Sequence, residues 1–274
     1  MSLAAKSLSA LRYGARRLGP WRRAGRGHPD AQSDGFTNAD LQGYPNNHNF
    51  QIDDGRAIPS FQLYWRWRAL AQLYPRPLES LLDVGCCRGW FVLEAASRPT
   101  CKRAVGIDVY EPFLEIARKA AAFLGAAERT AFHSATLKQV IAEPERYGAP
   151  FQTVLVINCY HYLYWGSLLS PERFSGHEEI LEGLARITSG VVIFSNPLVL
   201  DDCPESTREI AQNEPERARE YTPERFAEVA SRFFTIESHG YLNKHRRLEV
   251  LRARPGSVSA LAPSRRESGA GEGA

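Results

Sequence analysis

A chain of 274 residues holds one large domain or two small ones. Its hydrophobic content of 43% and charged content of 24% are ordinary for a globular protein. No apolar run approaches the ~20 residues a membrane helix needs, so no membrane span is expected. The net charge is +3, but it is uneven: seven basic residues and no acid precede Asp30. The body is therefore mildly acidic, and charge alone gives it no general nucleic-acid surface.

Residues 1–35 are basic, and Leu3, Leu8, Leu11, Tyr13 and Leu18 could form a loose apolar face among the charges. That composition suits a disordered basic tail or an organellar transit peptide. A cytoplasmic and a mitochondrial-matrix location both stay open. Residues 36–79 read as an N-terminal extension of helix and loop. Within it, 56–75 carries Phe61, Leu63, Tyr64, Trp65, Trp67, Leu70, Leu73 and Tyr74 and predicts one helix. Residues 80–254 form the main domain. The Ser, Ala, Gly and Pro of 255–274 hold too little apolar surface to offset their ordering entropy, which predicts disorder.

Inside the main domain, strand-like and helix-like segments alternate. Ser80–Val84 is an apolar run and predicts a strand, followed by a helix over Trp90–Ser97. Ala104–Val109 is the next strand. Glu111–Leu124 is helical by the period of Phe113, Ile116, Ala117, Ala120 and Leu124. Thr130–His133 predicts a short strand and Leu137–Tyr147 a helix. Phe151–Cys159 predicts a buried strand and Pro171–Ile187 a helix with proline in its first turn. Gly190–Ser195 is a strand stopped by Asn196-Pro197. Thr222 caps a helix that Pro223 opens. Thr235–Leu242 and Arg247–Arg254 then form an antiparallel pair. Residues 198–221 fall outside the alternation, at a place suited to a lid or a substrate wall. This order predicts an α/β domain: a doubly wound, mostly parallel seven-stranded sheet, helices on both faces, and a C-terminal antiparallel hairpin.

Ligands of such sheets bind beyond the carboxyl ends of the strands. Asp83 lies at one such end, with Gly85 and Gly89 behind it, and Asp108 ends the next strand. Gly85 permits a sharp turn. Gly89 lets the following helix start close to a ligand. Asp108 can accept both hydroxyl hydrogens of a ribose. An acid directly before the glycines would repel a pyrophosphate, and G-x-G-x-x-G is absent. A cationic ligand suits the loop better.

Over Ser80 to Arg254 the chain resembles a class I S-adenosylmethionine-dependent methyltransferase. The resemblance implies S-adenosyl-L-methionine as cofactor, with Asp83 and Gly85 near its amino-acid part and Asp108 on its ribose. Cys87, Gly89, Val109, Thr136 and Asn158 complete the implied cofactor-binding set. Cys87 replaces the family's middle glycine, so its thiol must point away from the ligand. Thr136 stands where an acid often holds the adenine amine. The segment after the fourth strand, Asn158 to Gly166, faces the transferring methyl in that family, which makes His161 the candidate general base. Tyr162 and Trp165 read as core aromatics, and Asn196 as a rim position.

The five cysteines, Cys86, Cys87, Cys101, Cys159 and Cys203, lack C-x-x-C spacing and predict buried thiols without disulfide or metal. The reading is an enzyme that methylates a small molecule. RNA, as in enzymes that modify a tRNA wobble base, is an alternative acceptor. A degenerate scaffold is the non-enzymatic alternative, motivated by Cys87.

Overall fold

The computed structural model describes residues 37–243 and 246–254. The expectations for the basic N-terminus up to residue 35 and for the tail from 255 lie outside the described residues.

Seven strands form the central sheet: β3 (Ser80–Val84), β4 (Arg103–Asp108), β5 (Thr130–Ser134), β6 (Phe151–Ile157), β7 (Thr188–Ser195), β8 (Phe234–Asn243) and β9 (Arg246–Ala253). Their order is β5-β4-β3-β6-β7-β9-β8. β3 to β7 pair in parallel, while β9 runs antiparallel between β7 and β8. The expected doubly wound sheet with its terminal hairpin is present. The chain steps outward from β3 to β4 and β5, then crosses to β6 on the other side of β3. The crevice at this reversal is where the sheet can receive a ligand.

The period of two within each strand sorts side chains onto two faces. Leu81, Ala104, Leu155 and Ile193 face one core, shared with α1 (Phe61–Ala71), α2 (Trp90–Ser97) and α3 (Glu111–Phe123). Leu82, Val105, Val154 and Val192 face the other. That core is shared with α4 (Leu137–Ala142), α6 (Tyr160–Trp165), α7 (His177–Ile187) and α10 (Pro223–Phe233). The same alternation turns Asp83 toward the face that carries Leu81, under α1.

Four elements differ from expectation. The helix over 56–75 begins only at Phe61, capped by Ser60. Arg56–Pro59 (β2) instead pairs antiparallel with Phe50–Asp53 (β1). Asp54 and Gly55, both at positive φ (46° and 67°), close that hairpin, the turn geometry that Asp-Gly favours. Pro144 splits the helix over Leu137–Tyr147 into α4 and a single turn, α5 (Pro144–Tyr147). The helix expected from Pro171 begins at His177, because Phe174 is tied back by its N–H to the Leu163 carbonyl, 3.0 Å. Residues 198–221 contain two short helices, α8 (Glu205–Gln212) and α9 (Pro215–Glu220). Among the described residues no helix is long and apolar enough to cross a membrane.

Candidate active site

A cavity of about 670 Å³ opens at the carboxyl ends of β3, β4 and β6. Of the residues expected to bind a cofactor, Gly85, Cys87, Asp108, Val109, Thr136 and Asn158 line it together. Asp83, Gly89 and His161 are outside its lining.

The glycine-bearing loop is held against β4 by its backbone. The N–H groups of Gly85 and Cys86 both donate to the Ile107 carbonyl, at 2.9 and 3.0 Å. Asp108 completes the clasp: Oδ2 accepts the Cys87 N–H at 2.9 Å, and Oδ1 accepts the Tyr110 N–H at 3.0 Å. Burial pushes the Asp108 carboxyl above the usual range, against the pull of these bonds. The carboxylate keeps acceptor capacity for a hydroxyl.

Cys87 sits at φ 52°, the left-handed conformation that glycine adopts more easily. Burial pushes its thiol up to about 12, so it stays protonated at neutral pH. What Asp108 uses is the backbone N–H of residue 87, which cysteine supplies as well as glycine. The role expected for Gly89 takes a different physical form. A Cβ there would lie 2.6 Å from Phe132 Cε1 and 2.9 Å from Ala117 Cβ. Its missing side chain serves the packing of the loop against β5 and α3.

Asp83 is buried beneath α1. Burial raises its pKa to about 7, although the Arg66 guanidinium pulls it down. Its Oδ2 has no hydrogen-bond partner. A buried carboxylate held so poorly is suited to a cationic group beside it. Arg66 is itself desolvated and lowered to about 10. Its Nη1 lies 2.9 Å from His48 Nε2. Arginine only donates, so Nε2 accepts and the His48 proton is on Nδ1. Burial, then Arg66, hold His48 well below the usual histidine range. His48 lines the cavity as a neutral donor, and Arg66 denies it the role of base.

His161 is fully buried, and neither ring nitrogen has a partner. Burial, then Arg246, lower it to about 3. It is neutral at physiological pH, and its position off the cavity gives a base role no geometric support. Its neighbour Tyr162, expected in the core, lines the cavity half-exposed, whereas Trp165 is buried as expected. Thr136 lines the cavity and also caps α4, its hydroxyl accepting the Gln139 N–H while the Gln139 side chain accepts the Thr136 N–H. Asn196, expected at the rim, is buried. Its Oδ1 accepts the N–H groups of Cys159 (2.8 Å) and Tyr160 (2.9 Å), and its Nδ2 donates to the Val156 carbonyl (2.6 Å). It fixes the corner between β6 and α6. The five cysteines are free thiols.

Sequence reasoning missed the strap formed by residues 44–48. Tyr44, Pro45, Asn47 and His48 supply one wall of the cavity. Arg88 anchors that strap: Nη2 donates to the Tyr44 carbonyl at 3.1 Å, and the guanidinium stacks 4.6 Å from the centre of the Phe113 ring. No local signal marked the strap, because Arg88 reaches it from 44 residues away.

Residues 81–170 match the family described as a methyltransferase domain. The solved structure of EvdMO1 is similar at 17% identity and a TM-score of 0.54, over 85% of this chain and 50% of that one. WbdD is similar at 20% identity and a TM-score of 0.46, over 70% of this chain and 38% of its own. The O-methyltransferase TomG from Streptomyces achromogenes shares 18% identity at a TM-score of 0.49, over 92% of this chain and 99% of its own. Only the first of these carries weight for the fold. The chain spans half or less of the length of EvdMO1 and WbdD. No curated protein matches the chain. The sheet is Rossmann-like, and residues 81–170 within it match a methyltransferase domain. The cofactor of such domains is S-adenosyl-L-methionine, and the acidic, glycine-turned loop on this sheet fits it.

Proposed function

We propose that the protein transfers a methyl group from S-adenosylmethionine to a small-molecule acceptor. The observation that carries this reading is the single cavity that collects Gly85, Cys87, Asp108, Val109, Thr136 and Asn158 at the sheet's reversal. Asp108 keeps lone pairs for a ribose, and Asp83, behind the lining with Oδ2 free of hydrogen bonds, adds negative potential near the cationic end of the cofactor. The cofactor supplies a methyl group already activated on a sulfonium. The chain's own tasks are to align the acceptor and exclude water.

The charged side chains on the cavity are Asp108, Lys138 and Glu172. Lys138 is engaged by Glu179 at 3.3 Å. Among the described residues the lining carries no arginine fork for phosphate, which supports a small molecule over RNA. The backbone role of residue 87 supports an intact site over a degenerate scaffold.

Calorimetric titration with S-adenosylmethionine tests the reading. Binding in the micromolar range is expected, weakened about 10- to 100-fold by Asp108→Ala, as for loss of charge-assisted hydrogen bonds. A thermal melt must show that the variant folds. Equal affinity of the two proteins would remove Asp108 from the site, and no binding by folded wild type would end the proposal.

A further inference from the structure

Resting on the methyl-transfer reading, the outer half of the cavity has a chemistry of its own. Gly166 to Ser175 leave α6 and return to α7. Within them Ser167 and Ser170 close a tight turn by reciprocal backbone bonds, the Ser167 N–H to the Ser170 carbonyl at 2.8 Å and the reverse at 3.2 Å. The Ser167 hydroxyl also accepts the Ser170 N–H at 3.1 Å. The turn is fixed below by the buried Phe174, whose carbonyl accepts from Arg217 at 2.5 Å.

This built turn holds two leucines at its tip on the cavity mouth. Leu168 is 93% exposed and Leu169 66% exposed. Tyr44 of the strap, 86% exposed, and Tyr162 of α6 stand on the same cavity. Holding two leucines in water forgoes the burial that stabilises leucines elsewhere in the fold. The fold could have avoided that with serines in the same turn.

We propose that this mouth receives an uncharged, lipophilic acceptor, whose alkyl or aryl part is covered by Leu168 and Leu169 against Tyr44 and Tyr162. Charge complementarity decides among apolar occupants. An anionic membrane surface would call for a basic rim, but Lys138 is paired to Glu179, and Glu172 adds negative charge. The leucines also line the cavity that holds the cofactor loop, which a lipid surface or a protein partner would not require.

The test uses 4-n-alkylphenols from ethyl to octyl as probes, titrated calorimetrically into the whole protein with and without S-adenosylhomocysteine. For the wild type, Kd falls about two- to fourfold per added methylene. In Leu168→Ser/Leu169→Ser that slope flattens while the affinity for S-adenosylhomocysteine is unchanged. The exposed positions make loss of folding no concern for this variant. A Kd independent of chain length, or an equal slope in both proteins, overturns the proposal. So does leucine-dependent co-sedimentation with phosphatidylcholine vesicles without a chain-length effect, which would assign the turn to a membrane. If S-adenosylhomocysteine fails to bind, the cofactor reading falls, and the slope measured without it still decides the lipophilic mouth.

Discussion

The two halves of the cavity are made in different ways. The inner half is built by consecutive ends of the sheet: the Gly85 loop after β3, Asp108 ending β4, and Asn158 after β6. It is tied by backbone hydrogen bonds, and its ionisable groups are buried and strained in charge. The outer half is assembled from a strap before the sheet, the face of α6 and the leucine turn. It is apolar, and its few charges are paired or peripheral. The contrast shows how one chain can hold a fixed cofactor position with the sheet and leave the acceptor to segments that the sheet does not constrain.

The largest effect expected in the inner half concerns Asp83. Its pKa in the folded protein is raised to about 7 from the ordinary 3.8. Between those values the folded state holds a proton that the unfolded state has released. Stability is therefore fully present below the unfolded pKa and is lost as pH rises through the window to about 7. Asp83→Asn removes this dependence. Denaturant unfolding across pH 4 to 8 should find variant and wild type alike at the acid end. The variant should pull ahead by up to about 4 kcal/mol at the alkaline end. Curves that stay parallel would mean that Arg66 already neutralises the carboxylate, and the cation-seeking character of the inner half would be lost.

A smaller effect separates packing from ligand contact. Gly89→Ala places a methyl against Phe132 and Ala117 at a φ of +78°. The expected cost is about 2–4 kcal/mol of stability, read as a fall of about 5–10 °C in Tm. Cofactor affinity measured below the transition should stay within about twofold. A large affinity loss with little loss of stability would return Gly89 to the ligand side of the loop.

The legibility of the two halves follows the same division. Alternation of apolar strands and helices specifies the sheet, and acids at strand ends sit where the topology must place a ligand. Asp83, Gly85 and Asp108 could therefore be singled out from spacing alone. Spacing does not say which face an acid turns to. Asp83 went under α1 because of the strand's period of two, and at Gly89 a side chain would meet Phe132 and Ala117. The outer half had weaker local signals. The Asp54-Gly55 pair between alternating residues marked a hairpin, but the aromatic run beyond it read as one continuous helix. Tyr162 and Trp165 carry the same kind of signal in sequence. Only the tertiary path of α6 puts one on the cavity and the other in the core. The strap at 44–48 depends on Arg88 reaching back 44 residues, a contact that no local pattern encodes.

Cys87→Gly gives the smallest expected change and bears most directly on how the inner half works. Glycine relieves the left-handed backbone at φ 52° but adds entropy to the unfolded chain and removes a buried thiol. These terms oppose one another, so the net stability change should stay within about 1 kcal/mol. The N–H of residue 87 that Asp108 accepts survives the substitution. Affinity for S-adenosylhomocysteine should then move by no more than about twofold. A gain of tenfold or more would show instead that the thiol crowds the ligand. The loop would then be a weakened version of its glycine-rich form, and the scaffold alternative would regain its footing. An unchanged affinity would show that the clasp between the loop and Asp108 is a backbone device, indifferent to the side chain that carries it.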